Sequence, residues 1–406
     1  MAKPLDGIRV LDWTIWQQGP VATMMLGDLG AEVIKLEERV GGDPGRGVMQ
    51  IAGAKTGARN YYFEANNRHK KSVTLDLKKP EAKEIVYKLI EKSDVFVQNY
   101  RKGVAARLGL DYATLSKYNP KLIYASATGY GPQGPDSEEP SFDYMGLARS
   151  GIMTAAGEPD MEPMNVTGGI ADQMGAIMLA HGITVALLAR ERLGIGQEVD
   201  TSHLGSMMAL QGLNLACRLT LGKEFKRFYR TKAINPLWNH YKCKDDKWIC
   251  LAMPQADRYW PDFCKTLGIP ELGKDPRFEN MKVRGRNSEE IISIVDNIFA
   301  SKPRDEWMSI LKEGGDFIYT FVNNITDLPD DPQMRVNDYI VDYEHPTWGG
   351  GQIVGSPLIL SKTPADPRAP APEFGEHTEQ VLVEMLGYSW EEVGIQQGAD
   401  HRVHDL

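Results

Sequence analysis

The stretch IRVLDWTIWQQGPVATMMLGDLGAEVIKL, residues 8–36, determines the fold class. Residues 8–11 and 32–36 are short β-prone runs, and residues 21–29 between them carry apolar side chains at helical spacing. Gly30 follows the helical segment, at a position where glycine often ends a helix. A β-α-β unit at the start predicts a parallel α/β sheet. The first turn lacks G-x-G-x-x-G, the fingerprint of dinucleotide binding.

The alternation of strand and helix continues to about residue 130. Strands are expected at residues 72–77, 94–97 and 122–125, and helices at residues 81–91 and 171–192. The last of these helices has the clearest pattern, because apolar residues recur on one stripe from Met174 to Leu188. His181 falls on that stripe and is therefore interpreted as a core histidine.

The pattern changes after about residue 225. Two β-prone runs around residues 241–252 predict a hairpin, and short helical segments follow it. We predict a large domain from residues 1–225, a smaller α+β domain from 226–330, and a segment, 331–406, that returns to the large domain. A β-prone run at 353–360 and a final helix at 376–386 belong to this last segment.

Composition excludes several classes of protein. The 406 residues are 42% hydrophobic and 25% charged, with a formal net charge of −9, as in a soluble globular protein rather than a disordered or nucleic-acid-binding one. No apolar run reaches the length of a membrane helix, and no secretory signal is evident. The four cysteines have no C-x-x-C spacing, and the histidines show no metal-binding pattern. We therefore expect a cytoplasmic protein with reduced thiols, no metal and neither a nucleic-acid nor a membrane partner.

Asp172 is the first candidate for chemistry. It lies in GGIADQMG, residues 168–175, at the start of the best predicted helix. Aspartate is a common helix N-cap, so local sequence alone favours a structural role. The alternative is a carboxylate nucleophile, because a helix N-terminus offers positive potential and the glycines allow a substrate to approach closely.

Other polar residues cluster where predicted strands end. Gln17 follows the first strand, and Asn99 and Tyr100 follow the strand at 94–97, with Arg107 shortly after. Ligands of open α/β sheets bind at the carboxyl ends of the strands, although each residue alone could equally be an exposed loop residue. Asp143 begins another predicted helix, which favours a capping role.

Seven segments carry more information than composition does. They are PLDGIRVLD at 4–12, LGAEVIKLE at 29–37, KSVTLDLK at 71–78, DVFVQNY at 94–100, IAD at 170–172, GIGQEVD at 194–200 and GEHT at 375–378. Together with Asp143 they resemble the class III CoA-transferase family, typified by formyl-CoA transferase and carnitine CoA-transferase. Each motif is weak alone, but their order and spacing are specific and span nearly the whole chain.

The resemblance implies a Rossmann-like large domain built from both chain ends, a smaller inserted domain and an interlocked dimer. The partner would be a second copy or a related subunit. It also implies that Asp172 is the nucleophile of a CoA transfer, through an aspartyl anhydride and an aspartyl-CoA thioester. The substrates would be an acyl-CoA and a carboxylic acid, so CoA enters with a substrate and no cofactor is tightly bound.

Further residues are assigned by the same resemblance. Gln17 matches a catalytic position near the thioester. The residues matching the substrate- and CoA-contacting region are Asn99, Tyr100, Arg107, Asp143 and, less closely, Lys78. The chain departs from the pattern at Glu38, where formyl-CoA transferase has a nucleotide-binding arginine, so Arg39, Arg68 or Lys71 is expected to meet the CoA phosphates instead. That enzyme's shielding glycine-rich loop is replaced by NPLWN, residues 235–239.

Two rival functions remain open from the sequence. An α-methylacyl-CoA racemase would share the fold, but such racemases carry a proton-transferring histidine where this chain has Phe142. The other rival is a non-catalytic subunit of a heteromeric transferase, against which Asp172 argues. Residues 11–18 and 235–241 resemble the benzylsuccinate CoA-transferase branch, which favours succinyl-CoA as donor and a bulky, aryl-substituted acid as acceptor. A 2-hydroxyacyl or phenyllactate transferase is nearly as well supported.

Overall fold

The computed structural model describes residues 2–53 and 59–389. Its strands are β1 Arg9–Trp13, β2 Glu32–Glu38, β3 Lys70–Leu75, β4 Val95–Gln98, β5 Ile123–Thr128, β6 Gln197–Ser202, β7 Trp238–Lys242, β8 Trp248–Ala252, β9 Tyr319–Val322, β10 Ile340–His345 and β11 Gly349–Val354. Its helices are α1 Gln18–Asp28, α2 Val48–Ile51, α3 Tyr61–Asn67, α4 Pro80–Glu91, α5 Val104–Leu108, α6 Tyr112–Leu115, α7 Asp143–Ser150, α8 Ile152–Ala155, α9 Ile170–Leu193, α10 His203–Leu210, α11 Gly212–Leu221, α12 Ala256–Thr266, α13 Met281–Arg286, α14 Ser288–Phe299, α15 Arg304–Gly314, α16 Pro332–Val336 and α17 Thr378–Gln380.

Strands β1 to β6 form one parallel sheet in the order β3-β2-β1-β4-β5-β6. Val10 of β1 lies beside Val33 of β2 on one side and Val95 of β4 on the other. The strand order therefore reverses at β1, as in a Rossmann-like doubly wound sheet. This confirms the predicted α/β fold class. Because the chain leaves β1 and β4 in different directions, a crevice opens at the carboxyl ends of these strands.

Alternate strand residues pack against opposite faces of the sheet. On one face, Leu11 and Phe96 pack with Ile85 of α4 and with Val381 and Leu382 near the end of the described chain. The C-terminal segment therefore completes a core that the first strands begin. The large α/β domain is built from both parts of the chain, as predicted.

Helices α1 and α9 cover the other face of the sheet. The buried side of α9 consists largely of small residues such as Gly175, Ala176 and Ala180, so the helix lies close to α1 and the strands. The stripe predicted to be its core face is instead exposed: Ile177 and Val185 are about half accessible, and His181 is exposed. The prediction of a core histidine is therefore wrong, because close packing selects small side chains rather than large apolar ones.

Helix α9 is also long and apolar enough, by length and composition alone, to cross a membrane. It is the one such helix among residues 2–53 and 59–389. The sequence pattern did not predict such a segment. One side of this helix packs against α1, β5 and β6, whereas the apolar stripe on its other side is largely exposed.

The chain divides into two compact units: residues 1–153, 165–223 and 332–406, and residues 154–164 with 224–331. In the smaller unit, β7, β8 and β9 form an antiparallel sheet, which confirms the hairpin predicted at 241–252. Tyr241, Trp260 and Phe263 are buried in its core. Residues 154–164 are not part of the small domain in the sequence-based division. Glu158 joins them to this unit by accepting a hydrogen bond from the backbone N–H of Arg230 at 3.0 Å.

Two predictions near the C-terminus differ from the structure. Strand β11 ends at Val354, because Pro357 soon afterwards has no N–H to continue a ladder, and residues 355–360 form no strand. The final helix is only α17 followed by a π-helical turn, Val381–Met385. Its first turn is docked on β3, where the backbone N–H of Thr74 donates to the Thr378 hydroxyl at 3.1 Å.

Candidate active site

Loops at the carboxyl ends of the parallel strands meet the first turn of α9. The loop after β1 brings Gln17 there, and the longer connection after β5 brings Asp143. His203 is the first residue after β6. All three lie against the segment that carries Asp172, which is 15% exposed in its side chain.

Asp143, and not Asp172, caps helix α9. Its Oδ1 accepts hydrogen bonds from the backbone N–H groups of Ala171, at 2.6 Å, and Asp172, at 3.1 Å. The N-cap position itself is Gly169, which has no side chain to offer. Burial raises the pKa of Asp143, and the two N–H donors only partly oppose this. The Asp172 carboxylate is therefore not used for capping, and the local capping interpretation does not hold.

His203 binds the Asp172 carboxylate directly. Its Nε2 lies 2.8 Å from Asp172 Oδ1, and the ring is only 6% exposed. Because a carboxylate only accepts hydrogen bonds, Nε2 carries the proton and donates. The other ring nitrogen, Nδ1, lies 3.3 Å from the Ser141 hydroxyl, which can donate to it. Asp172 Oδ2 has no hydrogen bond within the described chain.

Sequence reasoning missed His203, although a signal was available. The signal is its place directly after β6, where the rule that pointed to Gln17 and Asn99 applies equally, but that strand was not predicted from the sequence. Its contact with Asp172 joins residues 31 positions apart, which periodicity along one element does not reveal.

Gln17 packs against the two glycines that precede α9. Its Nε2 donates to the carbonyl oxygen of Gly168 at 3.4 Å, a long and weak bond. Gly169 has a φ of 70°, and a Cβ there would collide with the Gln17 amide. The glycine is thus required both for its backbone conformation and for the close approach of Gln17.

Asn99 holds the loop between β1 and α1. Its Oδ1 accepts from the backbone N–H of Ile15 at 2.9 Å, and its Nδ2 donates to the carbonyl oxygen of Ile15 at 2.7 Å. The next residue, Trp16, has a φ of 66°, which is strained for a bulky side chain. Asp43 supports this conformation by accepting from the Trp16 N–H at 3.0 Å. Asn99 therefore shapes the site, and its amide is already paired.

A buried charge network, formed by Asp12, Lys35, Lys70, Asp43 and Glu37, lies beneath this loop. Lys70 Nζ donates to Asp12 at 2.8 Å, and Lys35 Nζ pairs with Asp43 at 2.8 Å. Lys35 also donates to the carbonyl oxygen of Thr14 in the loop. Buried ions need such partners, so the network fixes the base of the site.

The remaining predicted CoA contacts occupy different positions. Tyr100 stacks on Trp13 with ring centroids 4.2 Å apart, and burial raises its pKa to about 12. Arg39 follows β2 and is half-buried, whereas Arg107 and Lys78 are exposed. None of these three basic side chains has an ion pair within the residues that the structure describes. They are therefore available to phosphate groups.

Lys71 and Arg68 are already paired. Lys71 Nζ binds Glu32 at 2.8 Å, at the amino end of β2 and so away from the carboxyl ends that carry Asn99. Arg68 makes two hydrogen bonds to the Asp28 carboxylate, at 2.8 and 2.6 Å. These positions do not support either residue as a CoA phosphate ligand.

Tyr62 of α3 is a further residue that sequence reasoning missed. Burial raises its pKa, and the charges of Asp172, Asp43 and Asp143 raise it more. Its hydroxyl therefore stays protonated beside three carboxylates and can act as a hydrogen-bond donor. Within residues 2–53 and 59–389, no group of three or more His, Cys, Asp or Glu side chains could hold a metal ion.

Comparison with known proteins gives a consistent result. The sequence pattern of CoA-transferase family III matches residues 5–378. The chain is 32% identical to (R)-2-hydroxy-4-methylpentanoate CoA-transferase of Clostridioides difficile, over 96% of this chain and 97% of that one. It is 33% identical to succinyl-CoA:glutarate CoA-transferase of Mus musculus, over 95% and 87%.

A solved structure shows the same fold. It is a CAIB/BAIF family protein from Brucella suis, which superimposes with a TM-score of 0.84 and 28% identity, over 95% of this chain and all of that one. The resemblance seen in the sequence motifs is thereby confirmed. The chain belongs to CoA-transferase family III and is an enzyme of that class.

Proposed function

We propose that the protein transfers CoA from an acyl-CoA donor to a carboxylic acid, with Asp172 as the covalent nucleophile. The observation that carries this proposal is the state of the Asp172 carboxylate. One oxygen of Asp172 accepts a hydrogen bond from His203. Asp143, and not Asp172, caps the N-terminus of α9. A carboxylate that is oriented but not used in capping is suited to attack a thioester.

The reaction divides into four acyl transfers. Asp172 Oδ2 attacks the donor carbonyl carbon, and the C–S bond breaks to give a mixed anhydride and CoA thiolate. The thiolate then attacks the Asp172 carbonyl carbon, and the donor acid leaves with Oδ2. The acceptor carboxylate reverses these two steps: it displaces CoA thiolate from Asp172, and the thiolate attacks the acceptor carbonyl to give the new acyl-CoA.

Gln17 is the donor that we assign to the negative charge that develops on the carbonyl oxygen of the donor thioester. The N–H groups of Ala171 and Asp172 are occupied by Asp143, so they are not free to bind an oxyanion. The amide of Gln17 makes only a long bond to Gly168 and can turn to the donor carbonyl oxygen. The family resemblance likewise assigns Gln17 to a position near the thioester.

For CoA, we propose Arg39, Arg107 and Lys78 as phosphate contacts. They are basic and have no ion pair within the described chain, unlike Lys71 and Arg68. Guanidinium and ammonium groups of this kind form charge-assisted hydrogen bonds to phosphate oxygens.

For the acids, we propose apolar, branched or aryl-substituted carboxylates, with succinyl-CoA as the first donor to test. Trp16 and Phe142 meet edge to face with centroids 6.0 Å apart, and Phe142 is 58% exposed. Each directly precedes a residue that contacts the start of α9. The names of the two relatives, one using a branched 2-hydroxy acid and one using succinyl-CoA, support this range.

The racemase alternative has less support. Racemisation needs two acid/base groups on opposite sides of the α-carbon. Phe142 cannot transfer a proton, and His203 is bonded to Asp172 rather than placed opposite it. The hydrogen bond that orients the Asp172 carboxylate also argues against a non-catalytic subunit.

We also propose a dimer. Helices α9 and α11 both expose large apolar side chains, including Val185 at 51%, Leu213 at 80% and Leu219 at 80%. Large exposed apolar patches on a folded chain mark interaction surfaces. Analytical ultracentrifugation should show two chains per particle, and Val185→Glu should weaken the assembly. A chain that is monomeric alone but associates with a related subunit would establish the heterodimer instead.

The experiment that tests the function is peptide mass spectrometry after incubation with hydroxylamine and single CoA thioesters. The panel contains succinyl-CoA, glutaryl-CoA, a branched 2-hydroxyacyl-CoA and an aryl-substituted succinyl-CoA. A hydroxamate on Asp172 is expected, and the thioester that produces it identifies the donor. Asp172→Ala should abolish transfer, whereas Glu191→Ala, which removes an exposed carboxylate from the same helix, should not.

An unmodified Asp172 with every thioester would contradict the proposal. Exchange of the substrate α-proton in heavy water would then identify a racemase. No exchange and no hydroxamate would identify a silent subunit.

A further inference from the structure

His203 is placed to act on the second carbonyl of the reaction, that of Asp172 itself. Its Nε2 lies 2.8 Å from Oδ1, the oxygen that does not attack the donor. In two of the four acyl transfers the tetrahedral centre is the Asp172 carbonyl carbon, and the negative charge develops on Oδ1. The donor needed for that charge is therefore already in contact with the atom that receives it.

We propose that His203 is a catalytic residue whose Nε2–H stabilises the oxyanion on Asp172 Oδ1. The same hydrogen bond prevents the carboxylate group from rotating and exchanging its two oxygens. The inference rests on the proposed function, since it requires Asp172 to form an anhydride and a thioester. It assigns separate donors to the two kinds of oxyanion: Gln17 to the substrate carbonyl and His203 to the aspartyl carbonyl.

The surrounding contacts fix His203 in this position. Ser202 caps α10 by accepting from the Gly205 N–H at 2.9 Å, which sets the direction of the first residue of that helix. Ser141 approaches the far ring nitrogen at 3.3 Å. A Cβ on Gly146 of α7 would lie 2.8 Å from the Cβ atoms of both Ala171 and His203, so glycine is needed for α7, α9 and α10 to pack this closely.

The two carboxylate oxygens of Asp172 then have different fates. When CoA thiolate attacks the aspartyl carbonyl, the donor acid departs with Oδ2, and the acceptor acid later supplies a new oxygen at that position. Oδ1 stays on the carbonyl carbon through every step. If His203 holds Oδ1 between turnovers, only one oxygen of Asp172 ever exchanges with the acids. If the carboxylate rotates freely between turnovers, both of its oxygens exchange with the acids.

Oxygen labelling tests this directly. The full-length enzyme would be incubated with the thioester that gives a hydroxamate on Asp172 in the hydroxylamine experiment. The matching free acid, with ¹⁸O in its carboxylates, would be added in excess. Succinyl-CoA with ¹⁸O-succinate is the first pair. After many turnovers, mass spectrometry of the Asp172 peptide should show one heavy oxygen at the plateau.

Variants separate catalysis from folding. His203→Ala should incorporate two heavy oxygens and lower kcat by about 10²- to 10³-fold, the usual effect of losing one oxyanion donor. His203→Gln, which keeps an N–H donor, should remain at one heavy oxygen with a smaller loss of kcat. Glu313→Ala, at an exposed residue of the smaller unit that lies outside residues 235–241, is the control and should match the unaltered enzyme. The unaltered enzyme alone tests the inference if His203→Ala does not fold.

Each other outcome has a defined meaning. Two heavy oxygens in the unaltered enzyme, or a His203→Ala variant with one heavy oxygen and full kcat, would overturn the role of His203. Turnover without any label would show that the aspartyl carbonyl is never attacked, and would overturn it too. Absence of both turnover and hydroxamate would instead mean that the proposed function has failed.

Discussion

Lys70 and Lys71 are neighbours on β3, yet they show how differently the same side chain behaves in two regions of one sheet. Lys70 points to the face covered by α1, is fully buried and binds Asp12 at 2.8 Å. Lys71 points to the other face, is about one-third exposed and binds Glu32 at the same distance. Distance alone does not separate the two pairs. Burial does, because water screens the second pair and is excluded from the first.

The largest expected effect comes from breaking the buried pair. Lys70→Met should lower the free energy of unfolding by about 3–5 kcal/mol, because Asp12 is left charged in the core. The measurement is urea unfolding followed by circular dichroism. Adding Asp12→Leu should recover much of the loss, since both charges are then removed. No recovery would mean that shape, and not the unpaired charge, sets the cost.

A pH titration sharpens the same comparison. Burial raises the pKa of Glu37, but hydrogen bonds from Arg46 and the charge of Lys35 outweigh it and lower the pKa to about 2. Since the folded-state pKa lies below the usual value of 4.5, Glu37 stabilises the fold above about pH 4.5. We expect about 3 kcal/mol of stability to be lost as the pH falls from 4.5 to 2.

Glu37→Gln should remove that part of the acid dependence, and unfolding measured between pH 2 and pH 6 would show it. Glu32→Gln is the matched control at the exposed pair. Its pKa is also lowered, by Lys71 and Arg9 against the effect of burial, but water screening makes its share smaller. Equal effects of the two substitutions would mean that burial does not determine how much each carboxylate contributes to the acid dependence of stability.

Packing near the active site gives a smaller effect. Gly146→Ala adds a methyl group where a Cβ would lie 2.8 Å from Ala171 and His203, so it should destabilise the fold by about 1–3 kcal/mol. It should also lower kcat, because α7 carries Asp143 and is pushed away from α9. Gly47→Ala has no neighbour within 4 Å and serves as the control. Thermal unfolding and steady-state kinetics would detect both changes, and equal behaviour of the two variants would argue against this packing constraint.

The smallest effect is expected at the exposed pair itself. Lys71→Met should change the free energy of unfolding by less than about 1 kcal/mol and leave the KM for the acyl-CoA unchanged. A rise in that KM would restore Lys71 as a CoA contact. The measurement therefore also decides one residue of the CoA site.

The sequence allowed β1 to β5 to be predicted because each is a short run of apolar or β-branched residues. Strand β6 was not predicted, because Val199 is its only apolar residue. The sequence also did not allow the orientation of α9 to be predicted. Periodicity finds an apolar stripe, but the buried face is the one with Gly175 and Ala176, since close approach to the sheet is what stabilises it. Large apolar residues such as Ile177 remain outside.

The candidate site was only partly readable from the sequence. Asp172 and Gln17 could be selected from motifs, and both lie at the first turn of α9. The roles of Asp143 and His203 depend on contacts across 28 and 31 residues, between elements that meet only in the folded chain. Asn99 was selected as a CoA contact, whereas its amide is paired with the backbone of the first loop.

The C-terminal segment completes the apolar core on one face of the parallel sheet, and this has a consequence for biosynthesis. Leu11 and Leu382 belong to one cluster of buried side chains, although roughly 370 residues separate them. At about 5–20 residues per second, a ribosome needs roughly 20–75 s between them. During that time, one face of the nascent sheet lacks its last apolar covering. Chaperones that bind exposed apolar surface should therefore associate with this chain until its last segment emerges.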